Sequence, residues 1–297
     1  MTDFLFKSIF RLIAMLPLRV LHSLGTLVGH VAFAVSNGYA ARTEENLRQA
    51  HLATDEKHFA ELLDHAINEA GKSVAELPWV WCRPLAQVCA MVQSCRGWEH
   101  IEAARAQGKG IILLTPHWGC FEVAGLYVGQ HLPLTCLYRS PKQVWLEKIM
   151  RGGRERGLTR LATADVSGVR VLYKALRRGE AIGLLPDQVP SYGEGEWADF
   201  FARPAYTMTL SGRLAQASGA TVLLAFAERL PHGAGYVLSF EPLPLDFSKP
   251  VPLQINKALE RVIAISPAQY LWSYNRYKTP RGVAPPGVAS PDVFGER

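Results

Sequence analysis

The sequence predicts an α/β fold with a mostly parallel central sheet flanked by helices. Short apolar runs alternate with longer segments that have the 3.6-residue periodicity of helices. The apolar runs are nearly continuous, which is typical of parallel strands covered on both faces. The chain has 297 residues, of which 48% are hydrophobic and 20% are charged. This composition supplies a large core and excludes a coiled coil, a collagen and a disordered chain.

The N-terminal segment is predicted to attach the chain to a membrane. Residues 4–16 have the pattern of an amphipathic helix in which Asp3, Lys7 and Arg11 form a thin polar stripe, and a proline then ends it. Residues 20–41 contain no Lys, Arg, Asp or Glu and are long enough to cross ~30 Å of hydrocarbon, although they are only weakly apolar. The alternative is a pair of helices buried in a soluble core. The pattern leaves open whether the anchor spans the membrane or lies on it.

The remaining elements follow in order. Residues 42–76 have helical periodicity, with Thr54 as the expected N-cap, and another helix is expected at 98–107. The predicted strands are 110–115, 132–137, 181–185, 221–227 and 236–240. The helices predicted among and after them are 121–130, 143–156, 167–178, 208–218 and 253–265. The chain thus divides into an anchoring segment at 1–41, a main domain at 42–279 and a flexible tail at 280–297 that is rich in Pro and Gly.

The net charge and the cysteine content limit the classes of partner and of cysteine site that the chain is expected to have. The net charge of +6 favours an anionic partner, which can be a phospholipid, a phosphorylated substrate, an acidic protein or a nucleic acid. The five cysteines are odd in number and lack CxxC spacing, so neither a disulfide framework nor a zinc site is predicted. We expect reduced thiols and no metal.

The most informative segment is GKGIILLTPHWGCFEVAG, residues 108–125. A buried strand leads into His117, which therefore lies at the carboxyl end of a strand, where open α/β sheets build their sites. Glu122 follows five residues later. On one continuous helix the two side chains would lie about 140° apart. If His117 precedes the helix, however, Glu122 can reach back from the first turns.

In that arrangement Glu122 would fix the tautomer of His117 and stabilise the imidazolium when His117 acts as a general base. The nearby helix N-terminus would keep the imidazole neutral. The alternative is a helix-capping histidine and a surface glutamate. Cys120 as a nucleophile is disfavoured, since unpaired cysteines usually serve as small apolar residues. A zinc protease is disfavoured because the paired histidines of that motif are absent.

Two further segments follow strand ends. The basic stretch 139–160 includes Arg139, Arg154 and Arg156, whose guanidinium groups suit phosphate or an acidic protein. It can also be a solvated helix face. Nucleic acid is not expected, since the stretch lacks interleaved aromatic residues. Asp187 and Gln188 follow the strand at 181–185 and share its edge with His117, although two polar residues there can also form a simple turn.

Together these segments resemble, in order, the late acyltransferases of lipid A biosynthesis, the lauroyl/myristoyl transferase family within the H-x4-D/E glycerolipid acyltransferases. The resemblance covers nearly all of residues 45–281. Mild departures are Gln143 where Asn is commoner, Ala202 where Gly is, and Tyr277 where Phe is. The matching blocks are ENLRQAH (45–51), GIILLTPHWGCFE (110–122), YRSPKQ (138–143), RGGRERG (151–157), LLPDQ (184–188), FFARPAYTMTLSGRLAQASGA (200–220) and SPAQYLWSYNRYKTPR (266–281).

The resemblance implies that 42–279 is an acyltransferase domain that moves a fatty acyl chain from acyl carrier protein to a hydroxyl of a lipid A precursor of the Kdo-lipid IVA type. It implies work at the cytoplasmic face of the bacterial inner membrane, contact with anionic membrane lipids, and no cofactor besides the acyl-carrier donor. His117 and Glu122 would be catalytic. Asp187 and Gln188 would position substrate, and the three arginines would bind phosphates or the carrier.

Two alternatives remain. The same mechanism can serve another acceptor, such as a glycerolipid or an aminolipid. The chain can also be a basic, non-catalytic protein bound at a membrane surface.

Overall fold

The computed structural model describes residues 2–287, with side chains from residue 6 onward. In that part of the chain the helices are α1 (Thr2–Ala14), α2 (Leu18–Val35), α3 (Asn37–Gln49), α4 (Glu56–Ala75), α5 (Leu77–Cys82), α6 (Leu85–Cys89), α7 (Trp98–Ala106), α8 (Phe121–His131), α9 (Val144–Arg154), α10 (Val166–Arg177), α11 (Leu210–Ser218) and α12 (Val251–Ile265). The strands are β1 (Val92–Arg96), β2 (Ile111–Leu114), β3 (Leu134–Tyr138), β4 (Thr159–Thr163), β5 (Ala181–Leu184), β6 (Gly195–Phe200), β7 (Arg203–Met208), β8 (Thr221–Arg229) and β9 (Tyr236–Pro242).

Seven strands form one sheet in the order β1-β9-β8-β2-β5-β3-β4. The strands from β8 to β4 run parallel to one another, whereas β9 is antiparallel to β8 and parallel to β1. A separate antiparallel hairpin joins β6 and β7. Apolar clusters cover both faces of the sheet, and β2 and β5 are buried along their whole length. The predicted α/β class with a mostly parallel sheet is therefore confirmed.

The five predicted strands are present, as β2, β3, β5, β8 and β9. The sequence analysis missed β1, β4 and the hairpin. Strands β1 and β4 lie at the two edges of the sheet, where one-sided burial leaves polar residues within a strand and weakens the apolar signal.

The predicted N-cap of α4 is wrong by one residue. Asp55, not Thr54, is the N-cap of α4, since its carboxylate accepts a hydrogen bond from the His58 amide at 2.8 Å. Aspartate accepts this bond as well as threonine does, so the two neighbouring candidates could not be separated by residue type.

The helix α2 lies along α4. Gly25 and Gly29 face Gly71 so closely that a β-carbon at Gly71 would collide with the carbonyl oxygen of Gly25. The opposite face of α2 is apolar and exposed. By length and composition α2 could cross a membrane. The helix beside it, however, carries the charged residues Glu56, Lys57 and Glu61, which would be costly to place in hydrocarbon.

Candidate active site

The candidate site lies at the carboxyl edge of the sheet, where β2 and β5 end side by side. Their register pairs Leu114 with Leu184, so the two loops that follow leave the sheet together. His117 is three residues beyond β2, and Asp187 is three residues beyond β5. The apolar strands thus bring an imidazole and a carboxylate into contact although they are 70 positions apart in the sequence.

Asp187 holds His117 by two hydrogen bonds. The imidazole Nδ1 lies 2.8 Å from Asp187 Oδ1, and the backbone amide of His117 donates to Oδ2 at 2.9 Å. Only 2% of Asp187 is exposed. Burial alone would raise the pKa of Asp187, but the charge and hydrogen bonds of His117, aided by the charge of Arg276, hold it below its ordinary value. The carboxylate is therefore ionised at neutral pH.

The second imidazole nitrogen faces Gln188. The side-chain Nε2 of Gln188 lies 3.2 Å from Nε2 of His117. Asp187 is ionised and can only accept, so in the neutral form of the ring the proton is held on Nδ1, and Nε2 has a lone pair to which the Gln188 amide can donate. This is the tautomer that a general base needs, with its free lone pair on the nitrogen that points away from the carboxylate.

Glu122 binds Arg154 rather than His117, the partner expected from the sequence. Both carboxylate oxygens of Glu122, in the first turn of α8, accept hydrogen bonds from Arg154 at the end of α9, including one from Nε at 2.9 Å. Glu122 is buried, and no hydrogen bond between it and His117 is found among residues 2–287. Burial alone would lower the pKa of Arg154, but the charge of Glu122 outweighs it, and the pKa is raised.

The three arginines predicted to bind substrate differ in their surroundings. Arg139 is exposed and directly follows β3, the strand next to β5. Arg154 is engaged by Glu122. Arg156 is turned inward, since its guanidinium donates to the carbonyl oxygens of Gly153, Arg83 and Val80 at 2.5 to 2.6 Å. Its contacts tie α9 to α5, which is a structural role rather than the expected phosphate-binding one.

A buried ion network braces the loop that carries His117. Arg229, at the end of β8, donates to the carbonyl of Gly119 at 2.9 Å and to the carboxylates of Glu69 and Glu76. The amide of Gly119 in turn donates to the carbonyl of Gln269 at 3.1 Å. Gly119 has φ of +56°, and a β-carbon there would collide with the backbone of β8, so glycine is required. The loop is thereby held against the sheet.

Cys120 has no nucleophilic role in this geometry. It is buried, and burial together with the charge of Glu76 raises the pKa of its thiol well above the ordinary value. All five cysteines are unpaired. Within residues 2–287 no three His, Cys, Asp or Glu side chains are grouped to hold a metal ion.

Comparison with known proteins identifies the family. A family model described as bacterial lipid A biosynthesis acyltransferase matches residues 1–279. The lipid A biosynthesis lauroyltransferase of Escherichia coli K12 is 27% identical over 278 residues, which are 92% of this chain and 90% of that protein. The palmitoleoyltransferase of the same strain is 28% identical over 89% of this chain and 87% of its own length. A lipid A biosynthesis acyltransferase of Haemophilus influenzae is 26% identical over 92% and 88%.

The chain belongs to the bacterial lipid A biosynthesis acyltransferase family. It is accordingly an acyltransferase with a role in lipid A biosynthesis. The resemblance read from the ordered sequence blocks is confirmed.

The bracing residues Glu76 and Arg229 of this acyltransferase were not predicted from the sequence. They are 153 positions apart and lie in no motif of recognisable chemistry. The available signal was an arginine at the end of a mostly apolar strand, since a buried arginine requires a carboxylate partner.

Proposed function

We propose that the chain transfers a fatty acyl group from acyl carrier protein to a hydroxyl of a lipid A precursor of the Kdo-lipid IVA type. The observation that carries this proposal is the contact between Asp187 and His117 at the carboxyl edge of the sheet, in a chain of this family. A histidine with one nitrogen bound to a buried carboxylate and the other available is suited to remove a proton from an alcohol.

In the proposed reaction Nε2 of His117 takes the proton of the acceptor hydroxyl as its oxygen attacks the thioester carbonyl carbon. The Gln188 amide, which faces the same nitrogen, gives way to the hydroxyl or binds its oxygen. Asp187 stabilises the imidazolium that forms. The tetrahedral intermediate then expels the carrier's thiolate, which receives the proton from His117. The products are an ester and a free carrier thiol, so atoms and charge balance.

Glu122 and Arg154 would act as a unit in this reaction. The buried carboxylate fixes the guanidinium at the end of α9, so Arg154 is an oriented cation rather than a mobile one. Such a cation suits the developing negative charge of the reaction or an anionic group of the substrate. Arg139 is exposed at the same edge and suits phosphates or the acidic carrier protein. Glu122 thus remains part of the proposed site, through Arg154 rather than through His117.

The proposal places the enzyme at the cytoplasmic face of the inner membrane, on anionic lipids. The exposed apolar residues of α1 and α2 include Leu12, Leu27, Val28, Val31 and Val35. Exposed cations, Lys7, Arg11 and Arg19, lie on the same two helices. An apolar face combined with basic residues is the composition of a helix that binds in a bilayer interface. Because α2 packs on the charged α4, we favour attachment in the plane of the membrane.

The first test is a transfer assay with the purified full chain, an acyl carrier protein thioester and the lipid A precursor. We expect a new ester in the lipid by mass spectrometry. Replacing His117 by Ala should lower kcat by about 10²–10⁴-fold while the circular dichroism spectrum and the melting temperature stay close to wild type. A folded variant with full activity would contradict the assignment of the base.

A second test addresses the acceptor. Lipid A is analysed from cells with and without this chain, and the loss of one secondary acyl group supports the proposal. Transfer to a glycerolipid or an aminolipid in the same assay, with none to the lipid A precursor, would favour the other acceptors. Full cellular function of the His117→Ala variant would favour a non-catalytic binding protein.

A further inference from the structure

A polar cleft of about 300 Å³ lies between α3 and the chain that follows α12, and His117 does not line it. Its walls include Arg42 and Asn46 of α3, Arg203 at the start of β7, and Asn275 and Tyr277. These residues come from, or lie next to, three of the sequence blocks that match the family, at 45–51, 200–220 and 266–281. The acyl-transfer step uses none of them. Their convergence on one cleft indicates a shared role.

The cleft has an excess of positive charge. Arg203 donates from Nη1 to Glu45 at 2.9 Å, and its guanidinium lies 4.5 Å from the centre of the Tyr277 ring. Arg42 is exposed, and none of the ion pairs found in residues 2–287 includes it. The wall of the cleft therefore carries two guanidinium groups and one carboxylate, that of Glu45. Together with the Asn275 amide they offer donors for an anion and for sugar hydroxyls.

Hydrogen bonds connect this cleft to the catalytic edge. The side-chain amide of Asn46 donates to the carbonyls of Trp272 and Tyr274 at 2.6 and 2.8 Å. The hydroxyl of Tyr274 accepts from the amide of Val189 at 2.9 Å, and Val189 follows Gln188, which faces His117. These hydrogen bonds and the consecutive residues Gln188 and Val189 therefore connect the cleft to His117.

The cleft also begins where the apolar face ends. Val35, the last residue of α2, is 76% exposed, and Gly38 already lines the cleft. A lipid whose chains contact the exposed face of α2 would bring its headgroup to this boundary. A concave polar cleft fits a sugar headgroup, whereas a folded carrier protein needs a broader surface.

We propose that this cleft binds the anionic saccharide headgroup of the acceptor lipid, with Arg42 and Arg203 holding a phosphate or a carboxylate. This inference rests on the proposed function for the identity of the acceptor. Its test includes a binding measurement that needs no catalysis, so the inference about the cleft and the proposed function can fail separately.

In the kinetic arm, Arg42→Gln is compared with Arg105→Gln, which removes the same charge from an exposed position on α7. We expect Arg42→Gln to raise KM for the phosphorylated acceptor about tenfold, the effect of one charge-assisted hydrogen bond. KM for the acyl carrier donor and kcat should stay near wild type, as should all constants of the control. Equal behaviour of the two variants, or a fall in kcat alone, would overturn the inference.

In the binding arm, the full chain without donor is titrated with a bisphosphorylated glucosamine disaccharide lipid in neutral detergent micelles. We expect about tenfold weaker binding by Arg42→Gln and little difference for the dephosphorylated lipid. Phosphatidic acid and inorganic phosphate are the comparison ligands. If either depends on Arg42 as strongly as the disaccharide lipid does, the cleft is a general phosphate site and the saccharide assignment is wrong. If this arm succeeds while no acyl transfer occurs, only the proposed function fails.

Discussion

At the scale of single residues, the contact with Asp187 decides which nitrogen of His117 can accept a proton. The buried carboxylate binds Nδ1 and the backbone amide of the same residue. It therefore fixes the ring and the tautomer together. Glu122, by contrast, fixes Arg154. The two acidic groups have separate partners, and their variants should fail in different ways.

Replacing Asp187 by Asn should lower kcat by about 10²–10⁴-fold with little change in KM. Asn has the same shape, but its amide group can donate to Nδ1 and so favour the wrong tautomer. Steady-state kinetics and ¹⁵N NMR of the His117 ring measure the two effects. Asp199→Asn, at an exposed position on β6, is the control. An unchanged tautomer with unchanged kcat would contradict the pairing.

Replacing Glu122 by Gln should destabilise the protein by about 3 kcal/mol, because Arg154 keeps a largely buried charge without its partner. Urea unfolding measures this loss. The double variant Glu122→Gln/Arg154→Met should recover part of it. The pH profile of kcat/KM should keep its wild-type shape, since Glu122 does not contact His117. A shifted profile would instead support the contact expected from the sequence.

Sequence reasoning could reach Asp187 and Gln188 because the ends of neighbouring parallel strands meet at one edge. It could not assign the partner of Glu122. The spacing of five residues made His117 a natural candidate. The actual partner, Arg154, is 32 residues further along the chain, and its contact with Glu122 depends on where α9 packs.

At the scale of elements, the side chain of Glu76 connects helix α2 with strands β8 and β9. It accepts hydrogen bonds from Arg229 of β8 and from Tyr236 of β9 at 3.0 Å, and it lies 3.2 Å from His22 of α2. Burial alone would raise the pKa of Glu76. The charge of Arg229, with hydrogen bonds from His22 and Arg229, outweighs this and lowers the pKa to about 2.

Replacing Glu76 by Gln should cost about 3–5 kcal/mol of the free energy of unfolding at pH 7, because Arg229 loses much of its compensation. The pKa of Glu76 is lower in the folded than in the unfolded chain. Its stabilisation is therefore present above the ordinary value of 4.5 and is lost as the pH falls towards about 2.

The difference between wild type and the Glu76→Gln variant should accordingly shrink over that pH range. Urea unfolding at pH 7, 4 and 3 measures it, with Glu102→Gln at an exposed position on α7 as the control. A difference that does not depend on pH would contradict the role assigned to the ion pair.

The elements themselves were the most predictable part of the molecule. Strands such as β2 and β5 are buried on both faces, so their sequences are continuously apolar. The hairpin of β6 and β7 contains Pro204 and several charged residues. Its pairing comes from the hairpin connection and from packing on α12, which leave little trace in the local pattern.

At the scale of the whole molecule, exposed large apolar residues are concentrated on α2. The exposed apolar residues of α2 lie on the face turned away from α4, and the carboxyl edge of the sheet carries the candidate site. Removal of residues 1–41 would be a poor test of membrane binding, because it also removes His22 from the buried network. Charges placed on the exposed face leave that network intact.

The double variant Leu27→Glu/Val31→Glu should bind vesicles of phosphatidylethanolamine and phosphatidylglycerol at least about tenfold more weakly than wild type. These side chains are 61% and 53% exposed, and immersion of a carboxylate in the interface is unfavourable. Val166→Glu/Val171→Glu on α10, with 69% and 45% exposure, is the matched control. Vesicle co-sedimentation of folded protein measures binding. Equal binding by the two variants would contradict attachment through α2.

The position of Glu76 has a practical consequence for purification. The same carboxylate lies against α2, the helix for which membrane attachment is proposed, and binds Arg229, which braces the loop behind His117. A detergent that separates α2 from α4 would therefore also loosen the loop that carries His117. We expect turnover to be the first property lost in harsh solubilisation, and gentle reconstitution into lipid to bring it back.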